Sequence, residues 1–73
     1  MELKIIFGKI LKELRLEKGL TQEALAEHSN LGVTFISKLE NGKRQPTITT
    51  LFQLAEALNI KPSEIIERLE KEI

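Results

Sequence analysis

Six residues punctuate this chain: Gly8, Gly19, Gly32, Gly42, Pro46 and Pro62 are its only glycines and prolines. Between them the apolar residues recur at three- and four-residue spacing, the period of an amphipathic helix rather than the alternation of a strand. Leu3, Ile6, Phe7, Ile10, Leu11 and Leu14 set that pattern over residues 2–18. Lys18-Gly19 reads as a helix stop, because glycine accepts the left-handed conformation that closes a last turn. Thr21 has the hydroxyl that caps a helix start, and a second helix is expected to His28. Glu23 suits the positive end of its dipole. Residues 29–32 make a tight turn, a third helix spans residues 33–40, and Asn41-Gly42 ends it. Thr47 opens a fourth helix to Leu58, with Ile48, Leu51, Leu54, Ala55 and Leu58 on one stripe. Residues 47–50 are strand-like, but they are short and run into helical spacing. Asn59 is the cap, Pro62 is tolerated in a first turn, and a fifth helix occupies about 62–72. Five short helices with connections of about 2–6 residues predict one all-α domain over residues 1–73.

Composition narrows the function classes. A chain of 8.3 kDa exposes roughly 4,600 Å² when folded, against roughly 12,000 Å² unfolded, so one small core is attainable and a deep catalytic cleft is not expected. The absence of cysteine excludes disulfides and thiolate metal sites, and the single His28 makes an imidazole zinc site improbable. His28 reads as a solvated helix-end residue. No enzyme constellation, cofactor motif or small-molecule site is evident. No apolar run reaches the ~18 residues of a membrane span. The opening MELKIIFGKI carries charge within its apolar stretch and lacks a cleavage site, so a cytoplasmic protein is expected. The 11 basic and 11 acidic side chains cancel, which argues against a strongly basic coating protein. Residues 1–50 hold 8 basic and 6 acidic residues, net +2, and residues 51–73 hold 3 and 5, net −2.

The second and third helices with their tight turn make a helix-turn-helix outline. Wheel geometry at about 100° per residue separates two faces of residues 33–41. Ile36, Leu39 and Phe35 fall on the buried side. Val33, Thr34, Ser37, Lys38 and Asn41 fall on the other, which carries no acid. Hydrogen-bonding groups, a methyl-bearing side chain and a cation suit the DNA major groove, although a plain solvated face would look similar. Glu40 lies at the edge of the buried side and needs a cation if it is buried. Arg15 has no acid among its own helical neighbours and is one candidate; a surface pair of Glu40 with Arg44 is the other.

The run Gly19-Leu-Thr-Gln-Glu-Ala-Leu-Ala, the turn, then Phe35-Ile-Ser-Lys-Leu-Glu-Asn-Gly-Lys-Arg-Gln-Pro resembles the Xre family of phage-repressor-like helix-turn-helix regulators. Leu51-Phe-Gln-Leu-Ala-Glu-Ala-Leu-Asn-Ile resembles the family's fourth helix, and Phe7-Gly8, Leu11 and Leu14-Arg15 its first. The match covers roughly residues 6–66. It implies a five-helix lambda-repressor-like fold and a sequence-specific transcriptional regulator of double-stranded DNA. By that resemblance Gln22 touches a backbone phosphate, and Val33, Thr34, Ser37 and Lys38 face base edges. Asn41, Lys43 and Arg44 meet phosphates, and Arg15 and Glu40 match a buried ion pair. Gly32 stands where Ser or Thr often caps the recognition helix, and Val33 where a polar residue is common. Length and the extended fifth helix suggest the restriction–modification controller group.

A single recognition helix reads too few base pairs to be selective, so a two-fold homodimer is expected. Pro62, Ile65, Ile66, Leu69 and Ile73 share one face of the fifth helix. Pro62 and Ile65 should join the core, leaving Ile66, Leu69 and Ile73 as the dimer patch; the competing arrangement folds Leu69 and Ile73 back towards Leu3 and Ile6. The principal alternative function is an antitoxin that also binds a toxin. A protein-interaction module without DNA binding would call for acids on the outer face of residues 33–41, and there are none.

Overall fold

The computed structural model describes residues 2–73; Met1, the first residue of the expected domain, lies outside them. The chain forms α1 (Leu3–Glu17), α2 (Gln22–Ser29), α3 (Val33–Glu40), α4 (Ile48–Ala57) and α5 (Pro62–Glu72). These bounds lie within a residue of those read from spacing and caps. Thr21 and Thr47 do cap α2 and α4: their hydroxyls accept from the backbone N–H of Ala24 at 3.0 Å and of Thr50 at 3.1 Å.

Four helices end in one way. The N–H of Leu20 donates to the Arg15 carbonyl at 3.0 Å, Leu31 to Ala26 at 3.0 Å, Lys43 to Lys38 at 2.9 Å and Ile60 to Ala55 at 3.0 Å. The residue before each donor is left-handed: Gly19, Asn30, Gly42 and Asn59, with φ between 57° and 72°. This closure recovers carbonyls that a helix end would otherwise leave unpaired, and an apolar residue at the donor position usually completes it. Leu20, Leu31 and Ile60 do so by packing on the core. After α3 the same position holds Lys43, which stands exposed. The motif therefore fixes a cation's backbone while leaving its side chain in water.

The five helices converge on Ile10, Leu11, Leu25, Ile36, Leu39, Leu54, Leu58 and Ile65, all fully buried. Burial of each stabilises the fold by about 1.5–3 kcal/mol before ordering costs. α1 packs on α3 and α5, α2 on α3 and α4, and α4 on α5. Gly8 does not interrupt α1, as its residue type alone would suggest. A side chain there would overlap the backbone carbonyls of Leu39 and Glu40, so the glycine lets α1 lie directly against the end of α3. α5 contributes only Ile65 to the fully buried set. Its outer edge is tied to α1 by two bonds of 3.0 Å from Arg68 to Glu17 and one of 3.2 Å from Lys9 to Glu72. The Arg68 hydrogen bond holds the Glu17 carboxyl below the usual carboxylate range. No helix among the described residues is long and apolar enough to cross a membrane.

Candidate nucleic-acid interface

The interface is built on α3. Asn30 turns the chain at the end of α2, and Gly32 starts α3 in extended conformation with no side-chain cap. Ile36 and Leu39 are fully buried, and Phe35 is half-buried against the same core. That anchoring fixes the rotation of the helix about its axis. Val33, Thr34 and Lys38 consequently stand exposed, and Ser37 is half-buried beside them. Asn41 follows, its Nδ2 donating weakly to Ser37 Oγ at 3.4 Å. Lys43 and Arg44 continue the exposed surface past the helix end. An α-helix with its side chains is about 10–12 Å across, which matches the width of a B-DNA major groove.

Electrostatics sharpen this face. From residue 30 to residue 45 the cations are Lys38, Lys43 and Arg44, and the only acid is Glu40. Glu40 is turned inward, with its side chain 2% exposed. Arg15 Nε donates to Glu40 Oε2 at 2.6 Å and Nη2 to Oε1 at 3.0 Å, while Nη1 donates to the Leu20 carbonyl at 2.8 Å. The hydrogen bond to Glu40 holds the Arg15 guanidinium above its ordinary pKa, against the opposing effect of burial. The negative charge of α3 is thus neutralised within the domain, and apart from the apolar Val33 what faces solvent is polar or positive.

Gln22, which the family resemblance places at a backbone phosphate, has a partner within the domain. At the first position of α2, its Nε2 donates to Glu40 Oε1 at 3.1 Å. Arg15, Gln22 and Glu40 therefore join α1, α2 and α3 at one point. Sequence spacing gave no sign of the Gln22 bond, since an N-terminal Gln has many solvated rotamers. Glu40 meets Arg15 rather than Arg44, the other partner considered for it.

The residues assigned to self-association divide. Ile73 is 66% exposed and Ile66 42%, whereas Leu69 is partly buried against the core. Ile66 and Leu69 line an apolar groove of about 380 Å³ with Leu3, Phe7, Ile48 and Leu51. Leu69 thus lies beside Leu3, as in the competing arrangement, while Ile73 does not line the groove; the contribution from α4 was not foreseen, because it depends on how three helices meet.

Comparison with known proteins places this geometry. A helix-turn-helix family model matches residues 11–65. Control protein C.MunI of a Mycoplasma species is 42% identical over 72 residues, covering 97% of this chain and 97% of its own. The HTH-type transcriptional regulator y4dJ of Sinorhizobium fredii is 39% identical over 66 residues, covering 90% of this chain and 86% of its own. The crystal structure of the restriction-modification controller protein C.Esp1396I superposes with a TM-score of 0.89 at 39% identity, over 99% of this chain and 92% of that one. The chain belongs to the helix-turn-helix family of DNA-binding transcriptional regulators. Its near relatives include the control proteins of restriction–modification systems. The antitoxin alternative gains no support from these relatives.

Proposed function

We propose that this protein is a controller-type transcriptional regulator that binds a two-fold symmetric operator as a homodimer in the cytoplasm. Its work is recognition rather than catalysis. The observation that carries the reading is the outer face of α3: exposed, free of acid and continuous with Lys43 and Arg44, while Glu40 is paired inside. In this reading α3 enters the major groove. Thr34, Ser37 and Lys38 offer hydrogen bonds to base edges, and Val33 offers an apolar contact to a thymine methyl. Asn41, Lys43 and Arg44 lie along the phosphate backbone, which supplies affinity without sequence preference. Two copies meet through the groove on α1, α4 and α5, where Ile48 at 73% exposure and Ile66 offer the projecting apolar surface.

Selection from a randomised duplex library tests the reading. The expected result is an enriched sequence with two-fold symmetry and half-site centres about 34 Å apart, one turn of the double helix. Failure to enrich any sequence, or enrichment of one unrepeated half-site, removes the proposal.

A further inference from the structure

We infer that Asn41 is a self-modification site, shut while the end of α3 is intact, whose conversion places an acid on the outer face of α3 and weakens its hold on DNA. Asparagine is among the chemically labile residues. It is most labile before glycine, where no side chain hinders the following backbone nitrogen. Asn30 precedes Leu31 and Asn59 precedes Ile60; only Asn41 precedes a glycine. The nitrogen of Gly42 attacks Cγ of the Asn41 carboxamide. The Cγ–Nδ2 bond breaks, and ammonia leaves with the proton from Gly42. Water then opens the resulting cyclic imide at either carbonyl. Opening at Cγ gives aspartate on an unaltered backbone. Opening at the backbone carbonyl gives isoaspartate, in which the main chain runs through the former side chain. Either product exchanges a neutral amide for a carboxylate.

The fold sets when this happens. Asn41 has a ψ of 5°, which turns the nitrogen of Gly42 away from the Asn41 side chain. That nitrogen also donates to the Leu39 carbonyl at 3.1 Å, and the N–H of Lys43 closes the helix on Lys38 at 2.9 Å. The reaction therefore waits for local opening of the helix end. The leaving group is held less firmly: Asn41 is exposed, and its Nδ2 has only the 3.4 Å bond to Ser37. Nor can a bulkier neighbour protect it. Residue 42 has a φ of 72°, and a side chain there would meet Ile5 of α1 at 3.0 Å, so the closure itself demands the glycine that makes Asn41 labile. The position of the product matters equally. From residue 30 to residue 45 the only acid is Glu40, which is paired inside. An acid at residue 41 is the first to reach solvent there, in sequence between Lys38 and Lys43. Isoaspartate also lengthens the backbone inside the Lys38–Lys43 closure and so displaces Lys43 and Arg44. In the docking proposed above, on which this consequence rests, both products weaken binding. Bound DNA holds the helix end shut and slows their formation.

The test incubates the whole chain at physiological temperature and mildly alkaline pH, in three states: alone, with the operator it selects, and in denaturing urea. Peptide mass mapping follows conversion of amide to acid. Conversion is expected at residue 41 and not at Asn30 or Asn59. It should be faster in urea than in the folded chain by about tenfold or more, the factor set by the cost of local opening, and slowest with operator bound. The converted fraction, separated by ion exchange on its added negative charge, should bind operator at least about tenfold more weakly, the order expected for losing a hydrogen bond to an anion. Asn41→Asp, which has the acid without the altered backbone, should also bind more weakly than the wild type. No conversion at residue 41 in urea, or equal rates in the folded and unfolded chain, overturns the inference. Operator binding by Asn41→Asp and by the converted fraction that matches the fresh protein overturns it too, while the operator reading stands. A wild type that selects no operator removes the docking reading, and mass mapping of the folded and unfolded chain then decides the site by itself.

Discussion

Glu40 is the residue at which three helices meet, and it shows how a small domain can carry an acid on a helix whose exposed face has none. Its carboxylate is tolerable only while Arg15 and Gln22 satisfy it. Glu40→Gln or Arg15→Met alone leaves a buried charge unpaired and is expected to cost about 3–5 kcal/mol. A domain of this size has about 5 kcal/mol in total, so either variant should stand close to unfolding. Urea denaturation of both singles and the double decides the matter: the double should be far more stable than the summed losses imply, and additive losses would mean that the pair does not interact. On the outer face the residues should separate by role. Replacing Thr34 or Lys38 should relax preference at one base pair by about 1–3 kcal/mol, and replacing Lys43 should weaken all sequences alike. Binding to an operator and its single-base variants measures this. A change of preference on replacing Lys43 but not Lys38 would mean that α3 sits in the groove in another register.

Among the elements, a glycine within α1 and the one that precedes α3 make opposite predictions. Gly8→Ala should gain about 1 kcal/mol of helix propensity. It also drives a methyl group into the carbonyls of Leu39 and Glu40, and such overpacking costs about 1–3 kcal/mol or more. Backbone atoms cannot swing aside, so the variant should melt at lower temperature than the parent. Gly32→Ser meets nothing within 4 Å and already has the extended backbone of a cap; it should raise stability by a few tenths of a kcal/mol. Calorimetry on the two variants checks both signs. For α5 the tie to α1 makes a pH prediction. A carboxyl whose folded pKa is depressed stabilises the fold above its unfolded pKa and loses that contribution as pH falls through the folded value. Glu17 should therefore titrate below the usual carboxylate range, and Arg68→Met should return it to that range in a carboxyl titration followed by magnetic resonance. The helix bounds and the inward turn of Glu40 were legible because caps, periodicity and a lone acid are local signals. The role of Gly8, the Gln22 bond and the Arg68–Glu17 tie were not. Each depends on which helices lie side by side, and |i−j| separations of 18 and 51 leave no trace in spacing.

At the scale of the whole molecule, the charge balance of zero conceals a surface divided by function. In the proposed docking Lys38, Lys43 and Arg44 would supply about two or three phosphate neutralisations per protomer, so log K for the proposed dimer should fall against log salt with a slope of roughly −4 to −5. A titration of operator binding from low to moderate salt measures it, and a flat line with a specific operator would contradict the placement of these cations. Self-association should be weakened by a charge in the apolar groove. Leu69→Glu and Ile48→Glu are each expected to sediment as folded monomers at low micromolar concentration, and persistence of a dimer in both would locate the contact elsewhere. One feature of α3 reaches beyond a single protein. Ile36, Leu39 and the Glu40 cluster hold the helix, while Val33, Thr34 and Lys38 stand free of the core. In the proposed docking, substitution at those three positions would alter what is read without loosening what reads it. On that reading, descendants of such a domain would exchange one operator for another through steps that all fold, and a duplicated copy would separate from its parent by a few codon changes on one helix face.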